Sequence, residues 1–348
     1  VVSSHKENHM PTNIKITELT KFLNRCFQAI GVSNENASVI TNHLVDAEMR
    51  GIYSHGLNRL GWYLDLFQTG ELEPTAVPSV KKLSGNTITV DGNGGIGIVA
   101  MDSAVSQLIE MAAENLISMA GVTNCGHTGR LGAYAEQAAK TGCFMICMGG
   151  GGRKKWAGVV PFGGMERVMS TNPFAFSMPG GGVEPIGCDF AISTIASGKI
   201  AVAKANNVSL PEGAIIDSHG RASQNPDDFY EGGALLPAAG PKGSGLGIIA
   251  ELVGDAMLGS ALEFNWLMIC MRADAFQSFA QYKGAASAFS QQVRQSKPAP
   301  GFDKVLMPGD LEEKKYQDCV AAGYVSVSNG VTKALMDAAK SVSQPIWQ

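Results

Sequence analysis

Apolar residues recur at helical spacing through Ile16, Leu19, Leu23, Phe27 and Ile30, and Gly31 closes the run, which predicts a helix over 14–30. A second helix is predicted over 35–50 from Val39, Ile40, Leu44 and Ala47, stopping at Gly51, and a third over 57–67. Residues 71–91 are punctuated by proline and then strand-like, with Thr87-Ile88-Thr89-Val90-Asp91 alternating polar and apolar. A long helix is predicted over 98–116, an apolar strand over 117–122, a helix over 131–141 and a buried strand over 143–148. Beyond Gly149 short strands and glycine turns fill 158–217. An apolar helix returns over 243–258, a strand over 266–271, and amphipathic helices alternate with loops from there on. The alternation of helices and strands is an α/β pattern, and no internal repeat of fixed period is visible.

Between the strand-like run and the long helix stands GNGGIG, residues 92–97, which matches the dinucleotide fingerprint G-x-G-x-x-G. The fingerprint asks for a strand buried on both faces, a helix after the glycines, and an acid about 20 residues on that holds the ribose. The strand alternates as a half-exposed one does, and the next strand ends Gly121-Val122-Thr123-Asn124 with no acid. Only the helix condition is met. The favoured reading is a glycine turn that starts the helix, and the cofactor site is sought elsewhere.

The 348 residues suffice for two domains or one large α/β body, with 45% hydrophobic and 17% charged residues, a globular balance. A net charge of −4 with mixed signs argues against a nucleic-acid surface, which would show a basic stripe. No stretch of 18 apolar residues reads as a membrane span. Seven cysteines, odd in number and scattered, read as reduced thiols of a cytoplasmic protein. Cys143 and Cys147 enclose an apolar run with no Cys/His pair to complete a metal site, so no metal is expected. Residues 1–10 lack a signal-peptide core, read as vector-derived, and are set aside.

Two polar clusters carry candidate chemistry. In the first, Ser54 and His55 precede Arg59 by five and four residues, and a helix opening there would set His55 and Arg59 on one face. Histidine exchanges protons near neutrality, and a guanidinium forks onto a carboxylate. A surface histidine and a solvated arginine are the plain alternative. In the second, His127 lies between a strand end and a helix start, where free amides favour anions, although a turn histidine fits as well. Asp189 sits inside an apolar run, and Lys242 opens a helix where its charge opposes the dipole unless an anion is bound. Arg153, Lys154 and Lys155 read as a solvated basic run, with a ribose 2′-phosphate as the other partner considered.

In sequence order, RGIYSHGLNRL, NCGHTGRLGAYAEQAA, VPFGGMERVMSTNPFAF, CDFAISTIASGK, ALLPAAGPKGSGL and PAPGFDKVLMPGD resemble the malate/L-lactate dehydrogenase family of non-Rossmann type. That family also holds ureidoglycolate, sulfolactate and diketogulonate enzymes and cyclic ketimine reductases. The resemblance implies an α/β fold with a non-Rossmann nicotinamide-binding domain on a mixed sheet over 121–274. It implies a largely helical substrate domain built from 11–120 together with 275–348. It implies NAD or NADP as cofactor, a small 2-hydroxy or 2-oxo acid as substrate, and a homodimer. Ureidoglycolate oxidation or cyclic ketimine reduction is the alternative activity. Carried across, His127, or His55 with Ser54, exchanges the proton; Arg59 grips the carboxylate and Thr171 contacts substrate. Thr128, Gly129, Arg130, Leu131, Gly132, Asp189, Phe190, Ala191 and Lys242 match cofactor contacts. Four departures stand out, the first being a segment Gly149–Ala157 longer than in the ureidoglycolate enzymes. Lys199 occupies the place of an acid in the ketimine branch, Ser170 replaces a frequent glycine, and 259–265 is short.

Overall fold

The computed structural model describes residues 12–182 and 184–346, so the leading segment 1–10, read above as vector-derived, lies outside the described residues. Contacts divide the chain into two units, one running to Thr75 and resuming at Asp310, the other spanning Ala76–Gly309. These compact units meet at 75/76 and 309/310, whereas the resemblance implies functional domains divided at 120/121 and 274/275. Residues 76–120 supply two strands of the large sheet, a helix and the start of a third strand, and 275–309 follow directly from one of its strands.

In the smaller unit, strand Thr12–Lys15 pairs antiparallel with Tyr324–Val327. Ile14 thus belongs to a strand, and the helix starts at Ile16. The pairing with a strand more than 300 residues away is not written in local periodicity. Helix Ile16–Ala29 buries Leu19, Phe22, Leu23, Cys26 and Phe27, the stripe its apolar spacing predicts. Helix Asn34–Met49 starts at Ser33, whose side chain accepts the Asn36 amide. Helices Leu60–Gln68, Asp310–Ala322 and Asn329–Ser341 complete this unit's helices among the described residues.

In the larger unit seven strands form one mixed sheet. Their order is Ser79–Ser84, Thr87–Asp91, Ile117–Thr123, Asn265–Arg272, Cys143–Gly150, Pro173–Met178 and Ile186–Ala191. Only Thr87–Asp91 and Ile117–Thr123 run parallel; every other neighbouring pair is antiparallel. Helices Gly97–Asn115 and Gly132–Lys140 cover one face, where Ala104, Leu108, Tyr134 and Ala138 cluster with Val122, Met145 and Met268. On the other face Met148 packs with Phe174, Ile192 and Ala250 beside a small three-stranded sheet.

The strand–helix–strand unit around GNGGIG is thus a parallel crossover, a pairing that the alternating strand did not suggest. The loop amides are nonetheless spent inside the protein. Gly92, Gly94 and Gly95 donate to the carbonyls of Thr123, Asn124 and Gly92, and Gly126 donates to Gly95. A Cβ on Gly97 would stand 2.2 Å from the Gly126 oxygen. These glycines let one loop seat directly on the loop that carries His127.

Candidate active site

In the smaller unit the chain leaves helix Asn34–Met49 and makes two 3-10 turns, Tyr53–His55 and Leu57–Arg59, before helix Leu60–Gln68. His55 and Arg59 therefore stand in successive turns and not on one helical face. The cause is Glu48. Its Oε2 accepts the Leu57 amide at 3.0 Å, the bond a continuous helix would have given to the Tyr53 carbonyl. The Tyr53 carbonyl takes the Asn58 side-chain amide instead, at 3.1 Å. Gly56 fits over this carboxylate because a Cβ there would lie 2.3 Å from Oε2. Glu48 is buried, and burial raises its pKa above the ordinary glutamate value, with the Leu57 amide opposing.

This turn brings three of the expected residues together. Ser54 Oγ lies 2.9 Å from His55 Nδ1. Arg59 Nε donates to the Ser54 carbonyl at 2.6 Å, and its guanidinium lies over the Trp62 ring, 5.0 Å from the centroid. Arg50, Arg130 and Arg153 each pair with acids. Arg59, half-buried, has no carboxylate partner among the described residues.

In the larger unit the candidates gather along the end of strand Ile186–Ala191. Gly132 donates its amide to Asp189 Oδ2 at 2.7 Å, tying the 127–132 turn to that strand. One residue past the strand, Ile192 donates to the Thr171 carbonyl at 2.8 Å and accepts from Ala238 at 2.7 Å, in the loop before Lys242. His127 Nδ1 accepts the Gly129 amide at 3.1 Å, Gly129 itself being left-handed with φ 68°. The Thr128 carbonyl accepts from the Tyr134 hydroxyl at 2.6 Å. Arg130 is buried and holds Glu136 with two bonds, 2.6 and 3.0 Å. Leu131 is buried as well.

The apolar run around Asp189 suggests a buried acid, and this holds for its carboxyl group but not for the whole residue. It lies on an edge strand and keeps exposed surface, although its carboxyl is crowded by protein atoms. That crowding raises its pKa, outweighing the Gly132 amide and Arg130, which lower it. Its carboxylate also takes an amide at the start of helix Gly132–Lys140, so that helix end is already neutralised and is a poor place for an anion. Phe190 is 39% exposed, with its ring 6.1 Å from Phe174 and 6.2 Å from Phe176. Ala191 is partly exposed and pairs with Pro173.

The groups present fit a dinucleotide. Lys242 is exposed and opens an eleven-residue helix, Pro241–Glu251, whose first turn carries no acid, a donor set suited to phosphate. Phe190 and its neighbours supply a flat apolar face. Arg153 is engaged with Asp255 and Glu251, and Lys155 lies over the Trp156 ring. Thr171 is half-buried, and its hydroxyl makes no hydrogen bond to another described residue. No cluster of three or more His, Cys, Asp or Glu able to hold a metal occurs among the described residues.

Two acids escaped the reading of the sequence. Glu48 closes an apolar helix face, and Glu251 ends the apolar helix before a π-helical turn, Leu252–Met257. A lone carboxylate at a core position of a helix was the available signal.

Comparison with known proteins gives one family. The malate/L-lactate dehydrogenase model matches residues 14–336. The chain is similar to L-sulfolactate dehydrogenase of Methanocaldococcus jannaschii, 29% identical over 82% of this chain and 84% of that one. The structure of that enzyme superposes with a TM-score of 0.87, covering 96% and 98% of the two chains at 26% identity. Ureidoglycolate dehydrogenase (NAD(+)) of Escherichia coli is 28% identical over 92% and 94%. The Δ1-pyrroline-2-carboxylate/Δ1-piperideine-2-carboxylate reductase of Pseudomonas syringae is 30% identical over 93% and 95%.

Proposed function

The chain belongs to the malate/L-lactate dehydrogenase family, and from that premise we propose that it is an NAD- or NADP-dependent oxidoreductase of small 2-hydroxy and 2-oxo acids. The observation that carries this reading is Arg59. A half-buried guanidinium fixed by the Ser54 carbonyl and Trp62, beside a serine–histidine pair and with no acid of its own, suits a substrate carboxylate.

A nicotinamide bound there would supply hydride chemistry at C2 of the substrate. Arg59 holds the carboxylate, and Thr171 offers its hydroxyl to the substrate. His55 exchanges the proton of the C2 oxygen through Nε2. Its Nδ1 faces a hydroxyl that donates or accepts as needed, so either protonation state of Nε2 is accommodated. His127 plays a different part. The Gly129 amide requires a lone pair on Nδ1, which leaves the proton on Nε2 of the neutral ring, suited to polarising an oxygen. Thr128–Gly132, Asp189, Phe190, Ala191 and Lys242 make up the cofactor surface, on a domain of non-Rossmann type.

The 2.9 Å contact of Ser54 with His55 also supports cyclic ketimine reduction as a second reading. Lys199, exposed where that branch has an acid, weighs against it. Homodimerisation is supported by the uncovered apolar side chains Leu246, Ile249, Leu252 and Met257, each at least 40% exposed. No helix among the described residues is long and apolar enough to cross a membrane, and the seven cysteines are free, as in a protein of the reducing cytoplasm.

The test is a panel of malate, lactate, ureidoglycolate and a cyclic ketimine carboxylate with each cofactor, run on the native chain and Arg59→Ala. Turnover of a 2-hydroxy acid that is lost mainly through KM in Arg59→Ala supports the reading. Lost cofactor binding with intact substrate kinetics contradicts it.

A further inference from the structure

We propose that Glu251 is a positioning residue that fixes Thr171 for substrate; this rests on the reading of Thr171 as a substrate contact. Glu251 is buried at the end of helix Pro241–Glu251. Its two oxygens collect donors from separate segments. Oε1 accepts the Ser170 amide at 2.9 Å, the Ser170 hydroxyl at 2.5 Å and the Asn172 side-chain amide at 3.0 Å. Oε2 accepts the Gly151 amide at 2.9 Å and lies 3.5 Å from Nη1 of Arg153.

Thr171 is therefore held on both sides by one carboxylate oxygen. Its own carbonyl takes the Ile192 amide, which completes the fixation. Asn172 adopts a left-handed backbone, φ 35°, a conformation that needs support from its surroundings. With the flanking side chains and the Thr171 carbonyl bound inside the protein, the half-buried Thr171 hydroxyl, which makes no hydrogen bond to another described residue, is left to meet a ligand. The second oxygen anchors the anchor. Gly151 lies within the glycine run 149–152, where backbone meets backbone so closely that a Cβ on Gly150 would stand 1.7 Å from the Ala250 carbonyl oxygen. A carboxylate is required at 251 because each oxygen meets only donors. A glutamine would turn an N–H toward one of those donor sets and force it apart.

The experiment is a cycle of Glu251→Gln, Thr171→Val and the double variant, with Ser170→Ala as a milder probe that removes only the hydroxyl bond. Steady-state KM and kcat for the preferred acid are measured beside the cofactor Kd, read by fluorescence on the enzyme without substrate. Bonds to a charged group of this kind are worth about a tenfold effect or more. Glu251→Gln is expected to raise KM about tenfold, with kcat and cofactor Kd little changed, Ser170→Ala to raise it less, and the double variant to match Thr171→Val. Additive effects in the double variant overturn the proposal. So does an unaltered KM in both Glu251→Gln and Ser170→Ala alongside a raised KM in Thr171→Val. A silent Thr171→Val instead overturns the assignment of Thr171 itself, and a Glu251→Gln that fails to fold leaves Ser170→Ala to decide.

Discussion

The amide of Gly129 points at Nδ1 of His127 across 3.1 Å. A backbone N–H cannot reverse its polarity, whereas the Ser54 hydroxyl facing His55 can. The two histidines, alike in the sequence, are thus given different chemistry by their neighbours. His55→Asn is expected to lower single-turnover oxidation by ~10²–10⁴-fold and to remove an ionisation from the pH profile of kcat/KM. His127→Asn is expected to slow the step by up to ~10²–10³-fold, as loss of a fixed donor does, while that ionisation persists. A profile flattened by His127→Asn and untouched by His55→Asn reverses the assignment.

Gly97 tests the meaning of GNGGIG. An added Cβ meets the Gly126 oxygen at 2.2 Å and Thr128 Cγ2 at 2.6 Å, so alanine there displaces the His127 turn. Gly97→Ala is expected to cost ~1–3 kcal/mol in chemical denaturation and to depress turnover. Gly94 has open space around it, and its φ of 73° alone makes alanine unfavourable, by ~1–2 kcal/mol. Its variant should bind cofactor as the native chain does. A loop that cradled pyrophosphate would instead lose cofactor affinity in Gly94→Ala.

The contrast shows what local pattern can and cannot carry. Helices Ile16–Ala29, Asn34–Met49 and Gly97–Asn115 follow from apolar spacing and closing residues, because burial of one face decides them. The β pairing of Thr12–Lys15 with Tyr324–Val327, and the parallel pairing at Thr87–Asp91, depend on partners distant in the chain. Ser54, His55 and Arg59 were legible as residue types, yet their two-turn arrangement is imposed by Glu48 from the preceding helix. Asp189 has apolar neighbours in sequence, and the edge strand leaves part of the residue exposed while its carboxyl group is crowded by protein atoms.

Arg130 and Glu136 give a prediction about stability. Arg130 keeps 4% of its side-chain surface and Glu136 24%, and two bonds join them. Glutamine at 136 removes the charge of the partner that this buried guanidinium holds with two bonds, and loss of one partner from such a pair typically costs ~3–5 kcal/mol. Glu136→Gln should therefore unfold at clearly lower denaturant concentration with an unchanged m-value. Replacing both residues by apolar ones of similar size should recover much of the loss. Full stability in Glu136→Gln would mean that the pair is not the closed, buried bridge described.

Glu48 predicts a pH dependence with a definite sign. Its pKa is raised by burial, so over an interval above the ordinary glutamate value the folded chain binds a proton that the unfolded chain has released. Stability from this group is complete below the unfolded pKa and declines as pH rises through the folded one. Glutamine at 48 keeps an oxygen for the Leu57 amide and removes the ionisation. Thermal melts of Glu48→Gln and the native chain should therefore diverge in the variant's favour on going from about pH 4 to about pH 7, the lower limit lying near the ordinary glutamate pKa. The turn that carries Ser54, His55 and Arg59 is bonded to this carboxylate through Leu57, so KM for the acid substrate in Glu48→Gln should stay within about threefold of the native value if the amide bond, worth ~1 kcal/mol or less in excess of its replacement, is preserved. A gap in melting temperature that narrows as pH rises would place the folded pKa of Glu48 below its unfolded value and contradict the burial argument.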